Sequence, residues 1–362
     1  MDGIAAMEAM KKSSSSMGRN QLLYMALSGL SSSQISALLC GAESLERKSG
    51  RLYRNDILLS HPEETPRLKH WYDFEKKGYW ALTLFDDAYP DKLREIEPVP
   101  YVLFGRGDSS VLTGFSIAVI GSRKPSAYGV SCTEHFAEGL VREGVVILSG
   151  LAYGIDSLAH RAALRSSCPT VAILGSGIDR IYPPSHRSLA EEIVRKGCVL
   201  SEYPPGERAL PYHFVHRNRL ISGLSDGVLV IEANRRSGTM ITVNCACEQG
   251  KNVFCVPGNI HQKRSEGTNE QIRRGATLVT GIDDVLSAYE WRPRPFTEAK
   301  KAKEALTAME KAIYDILRLA PRGADELSHL VPLTVSDLWI CLTSLEMKGK
   351  IQRRSDGKFA TQ

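Results

Sequence analysis

Six short apolar runs punctuate the middle of the chain, at residues 116–120, 145–148, 170–174, 197–201, 227–231 and 252–256. Each is almost continuously hydrophobic rather than alternating, the pattern of strands covered on both faces as in a parallel sheet. Between them, residues 134–142, 156–164, 188–195 and 239–248 are amphipathic at helical period. Strand and helix in alternation predict a Rossmann-like doubly wound parallel sheet, an α/β fold, over residues 81–290.

The ends have a different rhythm. In residues 19–80, Gln21 to Leu27 carries an apolar helical face, Gly29-Leu30-Ser31 interrupts it, and Gln34 to Leu39 resumes it. This predicts a small N-terminal helical domain, serving either as a cap or as a grip on a phosphate backbone. Residues 1–18 are Ser-rich and weakly apolar, the composition of a disordered tail. Residues 291–304 are charged and Pro-bearing and read as a linker. Three helical stretches at 306–319, 324–330 and 334–348 then precede a basic run with a turn at Asp356-Gly357. Three helices and a hairpin are the outline of a winged-helix domain over residues 305–362.

Composition narrows the class. With 362 residues, 43% hydrophobic and 24% charged, the chain suits a globular protein of two or three domains. A formal net charge of +5 permits a basic surface without requiring one. The eight cysteines include no Cys-x-x-Cys pair and read as free thiols of a reducing compartment, with no metal site. No run approaches eighteen apolar residues, and the start lacks a basic region followed by an apolar core. The expectation is a cytoplasmic protein without a membrane span.

Candidate chemistry sits where predicted strands turn into helices. Gly121-Ser122-Arg123 follows the first apolar run, and Ser237-Gly238-Thr239 follows the fifth. Such turns present backbone N–H groups at the positive end of a helix, an anion site to which Arg123 adds a full charge. Gly175-Ser176-Gly177 begins a dinucleotide fingerprint, but Arg180 occupies the third glycine position and no P-loop is present, so no cofactor is implied. Asp156, Asp179 and Glu202 form no recognisable nucleophile–base–orienter set, so no catalytic residue is named. The densest signal is Phe214-Val215-His216-Arg217-Asn218-Arg219. Two guanidinium forks suit phosphates and an aromatic face suits any base, which together fit nucleic acid. The competing interpretation is the start of a helix with solvated arginines.

The chain resembles the DNA-processing protein A family, also called Smf. The resemblance runs through Ile120-Gly121-Ser122-Arg123, Ser149-Gly150-Leu151-Ala152-Tyr153-Gly154-Ile155-Asp156, Gly175-Ser176-Gly177-Ile178-Asp179, Ser201-Glu202-Tyr203-Pro204-Pro205-Gly206, the Phe214–Leu224 segment and Ser237-Gly238-Thr239, across roughly residues 80–290. It implies a protein that binds and protects single-stranded DNA, self-associates as a homodimer, and helps load the RecA recombinase in natural transformation, with single-strand-binding protein as a further partner and no catalysis. It also implies that Arg123, Phe214, Arg217 and Arg219 belong to the DNA groove, with Asn218 fixing a turn. This sequence departs from the family in three places. Leu210-Pro211-Tyr212-His213 offers no lysine shortly before Phe214, so a phosphate contact usual in the family is either missing or supplied by Arg208; Tyr153 stands where arginine is frequent, and His186 where asparagine is frequent. Ile272, Ala276, Leu278 and Val279 read either as a dimerisation patch or as core. Two rivals remain. One is a nucleotide-cleaving hydrolase on a related core, although Thr242 stands where its catalytic glutamate would be. The other is a winged-helix transcription regulator.

Overall fold

A computed structural model describes residues 15–39, 44–46, 52–54, 66–289, 307–319, 321–331, 333–347, 350–353 and 357–361. The chain divides into two compact units, Met1–Pro293 and Arg294–Gln362. The expected linker at 291–304 lies outside the described residues.

The first unit opens with α1 (Ser15–Leu27) and α2 (Ser32–Leu39). They are separated by Gly29, whose φ of 80° is the left-handed conformation that makes glycine the natural helix stop. Helix α1 begins inside the stretch expected to be tail. A second difference is the antiparallel pair β1 (Ser44–Glu46) and β2 (Leu52–Arg54), which interrupts the expected all-helical segment before α3 (Pro66–Glu75). Strands this short leave no periodicity to detect. Arg19 ties α1 to the body of the unit through a 3.0 Å ion pair with Asp86.

The chain then runs through β3 (Tyr79–Thr83), β4 (Val102–Gly107), β5 (Ser116–Ile120), α4 (Ala127–Arg142), β6 (Val146–Ser149), α5 (Ile155–Arg165), β7 (Thr170–Leu174) and α6 (Arg187–Lys196). It continues with β8 (Cys198–Ser201), α7 (Pro211–Leu224), β9 (Gly227–Val230), α8 (Gly238–Glu248), β10 (Asn252–Cys255), α9 (Lys263–Arg273), β11 (Thr277–Leu278) and α10 (Ile282–Leu286). The nine-stranded sheet has the order β11-β10-β9-β5-β6-β7-β8-β4-β3. From β11 to β8 every pairing is parallel, as the apolar runs predict. Beyond β8 the sheet gains two antiparallel strands, β4 and β3, which are not among the six predicted. Strand β3 alternates partly and fully buried residues as an edge strand does, so it lacks the continuous apolar signature.

Helices α4 and α5 cover one face of the sheet. Phe136, Ala137, Leu140 and Val141 recur at helical spacing and pack on Ile117, Val119, Ile147, Leu229 and Ile231, all nearly inaccessible. Helices α7 and α8 pack on one another, with α7 lying over β5 and β7. Strand order reverses between β5 and β9, because the chain builds outward from β5 to β8 and then crosses to the other side of β5. In an open α/β sheet such a switch point leaves a crevice at the carboxyl ends of the strands.

The second unit holds α11 (Ala308–Leu319), α12 (Ala324–Ser328), α13 (Val335–Met347) and the antiparallel hairpin β12 (Ile351–Arg353) with β13 (Phe359–Thr361). Ile313, Leu317, Leu327, Leu338, Leu342, Leu345, Ile351 and Phe359 form its core. This is the expected winged helix. Gly357 takes a φ of 82°, while its expected turn partner Asp356 lies outside the described residues.

Candidate nucleic-acid interface

The switch-point crevice is built first from backbone. After β5, the Gly121-Ser122-Arg123 loop is pinned by several hydrogen bonds. The Ser122 carbonyl accepts from Ile155 N (3.1 Å), the Gly121 carbonyl from the Thr239 hydroxyl (3.2 Å), and the Lys124 carbonyl from Arg264 Nε (2.8 Å). Glu232, just after β9 and almost fully buried, accepts from the backbone and hydroxyl of Ser126, which also caps α4. A fixed loop thus holds up the Arg123 side chain, which is exposed and makes no ion pair with any described residue. Across the crevice, Ser237 precedes α8, and its buried hydroxyl has no hydrogen-bond partner among the described residues. An unsatisfied donor beside a helix N-terminus is suited to an anion.

The segment from Phe214 to Arg219 lies inside α7, a single helix with Pro211 in its first turn. That placement corrects three expectations. Asn218 does not fix a turn; its side-chain amide donates to the Gly238 carbonyl at 3.4 Å and links α7 to α8. Arg217 is not a solvated fork. It is 4% exposed, donates to the carbonyls of Gly150 and Ile173 at the ends of β6 and β7, and faces Asp156. Burial pulls Arg217 down to about 10, with Asp156 opposing, and burial raises Asp156, whose carboxylate accepts from the amides of Gly150 and Ala152. Arg219 leaves the groove altogether. Two positions further along a helix is more than half a turn away, and there Arg219 donates twice to Glu202 at 2.6 Å, both side chains being under 10% exposed. Ser32 of α2 also donates to Glu202, at 2.5 Å, so this pair joins the N-terminal helices to the sheet.

Two glycines make room for these side chains. A Cβ on Gly150 would lie within 2.8 Å of the Arg217 guanidinium, and one on Gly175 would lie 2.7 Å from the Phe214 ring. Phe214 is half-buried, with its ring 5.3 Å from that of Tyr182, which is 49% exposed, and the Arg217 guanidinium 5.9 Å from its own centroid. The crevice encloses about 550 Å³ and brings Gly121, Ser122, Arg123, Phe214, Arg217, Asn218, Ser237 and Gly238 to one wall or another. Of the DNA-groove residues proposed from sequence only Arg219 is absent.

Sequence reasoning missed Tyr182, which follows the third strand-to-helix turn. It links the crevice to a neighbouring hollow lined by the exposed Arg180, Arg187 and Arg208. The signal available was the density of arginine around a tyrosine after β7. Arg208, one of the two alternatives for the lysine contact, lines this hollow.

The profile described as DNA recombination-mediator protein A matches residues 80–290, and that of the DprA winged helix domain matches residues 297–357. The chain belongs to this family. Among its relatives, DNA processing protein DprA of Streptococcus pneumoniae is 43% identical over 219 residues, 60% of this chain and 77% of that protein. DprA of Bacillus subtilis is 35% identical over 68% of this chain and 82% of its own length. The X-ray structure of DNA processing protein A from Streptococcus pneumoniae superposes with a TM-score of 0.62 at 36% identity, covering 79% of this chain and 98% of that one. A structure of DprA from Helicobacter pylori, solved to describe its single-stranded DNA binding mode, gives 0.53 at 31% identity over 58% and 94%. The match to this family spans the crevice and all the strand-to-helix turns that build it.

At the far edge of the sheet, Leu278 is 47% exposed and Ile272 and Ala276 are partly so. Val279 is instead fully buried in the core against α4 and α5, so it drops out of the suggested dimerisation patch.

Proposed function

We propose that this protein binds single-stranded DNA in the switch-point crevice, protects it, and acts without catalysis as a mediator that loads a RecA-type recombinase during natural transformation. The observation that carries the proposal is the convergence, in one crevice, of an exposed cation on a fixed loop, two adjacent accessible rings and an unsatisfied hydroxyl at a helix N-terminus. Rings accept any base, and the cation and N–H groups accept the backbone, so binding would be tolerant of sequence. The single-stranded DNA binding mode described for DNA processing protein A of Helicobacter pylori, 31% identical, points the same way.

The absence of catalysis rests on Asp156. Among the described residues it is the one carboxylate lining the crevice, and two backbone amides already donate to it beside the Arg217 charge, which leaves no general base free there. Thr242, buried and lining the same crevice, stands where a hydrolase would need a carboxylate. Self-association as a homodimer through Ile272 and Leu278, contact with single-strand-binding protein and a cytoplasmic location belong to the same proposal. Among the described residues no helix is long and apolar enough to cross a membrane. The winged-helix unit is assigned to a protein contact, because residues 334–345 contain no Lys or Arg while Trp339 and Ile340 of α13 are exposed.

Recombinase assembly on oligonucleotide coated with single-strand-binding protein tests the proposal. The protein should accelerate it, and the Arg123→Ala/Phe214→Ala variant should not. Equal acceleration by both would remove the crevice from the mechanism.

A further inference from the structure

Beside the crevice lies an open basin of about 750 Å³ that shares Ser122, Arg123 and Asn234 with it but not Tyr182. The two hollows differ in chemistry. The crevice carries rings and aliphatic side chains, Phe214, Tyr182, Ile120 and Ile221 among them. Among the described residues the basin has none. Its lining is Arg123, Lys124, Lys263 and Arg264 with Ser122, Ser126, Asn234 and Gln262, four cations without a carboxylate or an aromatic.

These cations are also unspent. Elsewhere on the surface, Arg106, Arg165, Arg273 and Arg274 are held by glutamates. Lys124, Lys263 and Arg264 are exposed, and none forms an ion pair with a described residue. The basin is rigid at its centre, because Arg264 Nε donates to the Lys124 carbonyl and the Arg264 carbonyl accepts from Ala233 N at 2.7 Å. Glu232, a buried acid, is turned to Ser126, which is itself taken up by capping α4.

We infer that this basin is a separate backbone subsite, which takes the phosphodiesters of nucleotides flanking those whose bases enter the crevice. A hollow with cations and amides but no ring or apolar wall recognises phosphate and sugar, not bases. Arg123, common to both hollows, is the point where the strand passes from one to the other. This inference rests on the crevice being a single-strand site and adds a direction to it: the strand leaves over Lys124 toward the start of α9.

The test uses the full chain, thymidine oligomers of about 4 and about 16 nucleotides, and the Lys124→Gln/Lys263→Gln variant, whose two side chains are exposed and hold nothing in the fold. The short oligomer should bind wild type and variant alike. The long oligomer should bind the variant roughly tenfold more weakly at moderate salt, with a salt slope smaller by about 1.4. Arg123→Ala should weaken both lengths. Unchanged binding of the long oligomer to the Lys124/Lys263 variant overturns the subsite while leaving the crevice intact. Equal loss for both lengths overturns it too, by making these lysines part of the crevice. Failure of the wild type to bind either oligomer would sink the single-strand assignment itself.

Discussion

Arg123 and Arg219, both read from the sequence as groove residues, end in opposite roles here, and stability separates them. Arg219→Ala leaves Glu202 buried without its cation, which should cost about 3–5 kcal/mol in urea unfolding. Arg123→Ala removes an exposed side chain with no ion pair and should stay within about 0.5 kcal/mol of wild type. Reversal of that order would mean the Glu202 pair is not buried as described. Phe214→Ala should cost about 1–3 kcal/mol of single-strand affinity. Gly175→Ala, which changes no charge, should push into the same ring and destabilise by about 1–3 kcal/mol. Normal affinity in both variants would speak against stacking on Phe214. The fate of Arg217 and Arg219 could not be read from sequence, because arginine is seldom buried and the phase of α7 is set by what it packs on. Glu202, the partner that draws Arg219 inward, lies on the loop after β8, where only the fold brings it within reach.

At the scale of elements, most of the parallel sheet was legible and its antiparallel edge was not. The apolar runs that predicted β5 to β10 are long enough to be covered on both faces. Strand β11 has two residues, and β1 and β2 have three each, which is too few for a period. The turns after β5 and β9 were legible as anion sites for a local reason. Glycine lets the chain turn sharply at a strand end, and the residues beside it supply the donors an anion needs. Between the elements lies a titration that bears on stability. His160 of α5 is fully buried against Thr170 of β7, and burial, helped by His186 and Arg217, lowers it to about 3. The unfolded chain takes up this proton near pH 6.5, so the stabilisation is complete above that value and is lost as pH falls toward the folded value. Burial lowers His213 and His216 in the same direction, while Asp156 is raised and opposes them. Melting temperature should therefore fall from about pH 7 to about pH 5, at up to about 1.4 kcal/mol per pH unit for each proton. His160→Asn should flatten that fall; an unaltered slope would assign it to other groups.

For the whole molecule, the single-strand activity should reside in the first unit. A chain ending at Pro293 should keep its oligonucleotide affinity and lose contacts that depend on Trp339 and Ile340. Leu278→Glu should leave the protein folded and shift sedimentation toward monomer, and an intact dimer would exclude the β11 edge. The central claim, that bases enter the switch-point crevice, is tested most directly by photocrosslinking a thymidine oligomer to the full chain and mapping the modified peptides. The account predicts adducts on the peptides containing Phe214 and Tyr182, lost on competition with unlabelled single strand but not with duplex. Adducts confined to residues 307–361 would contradict it.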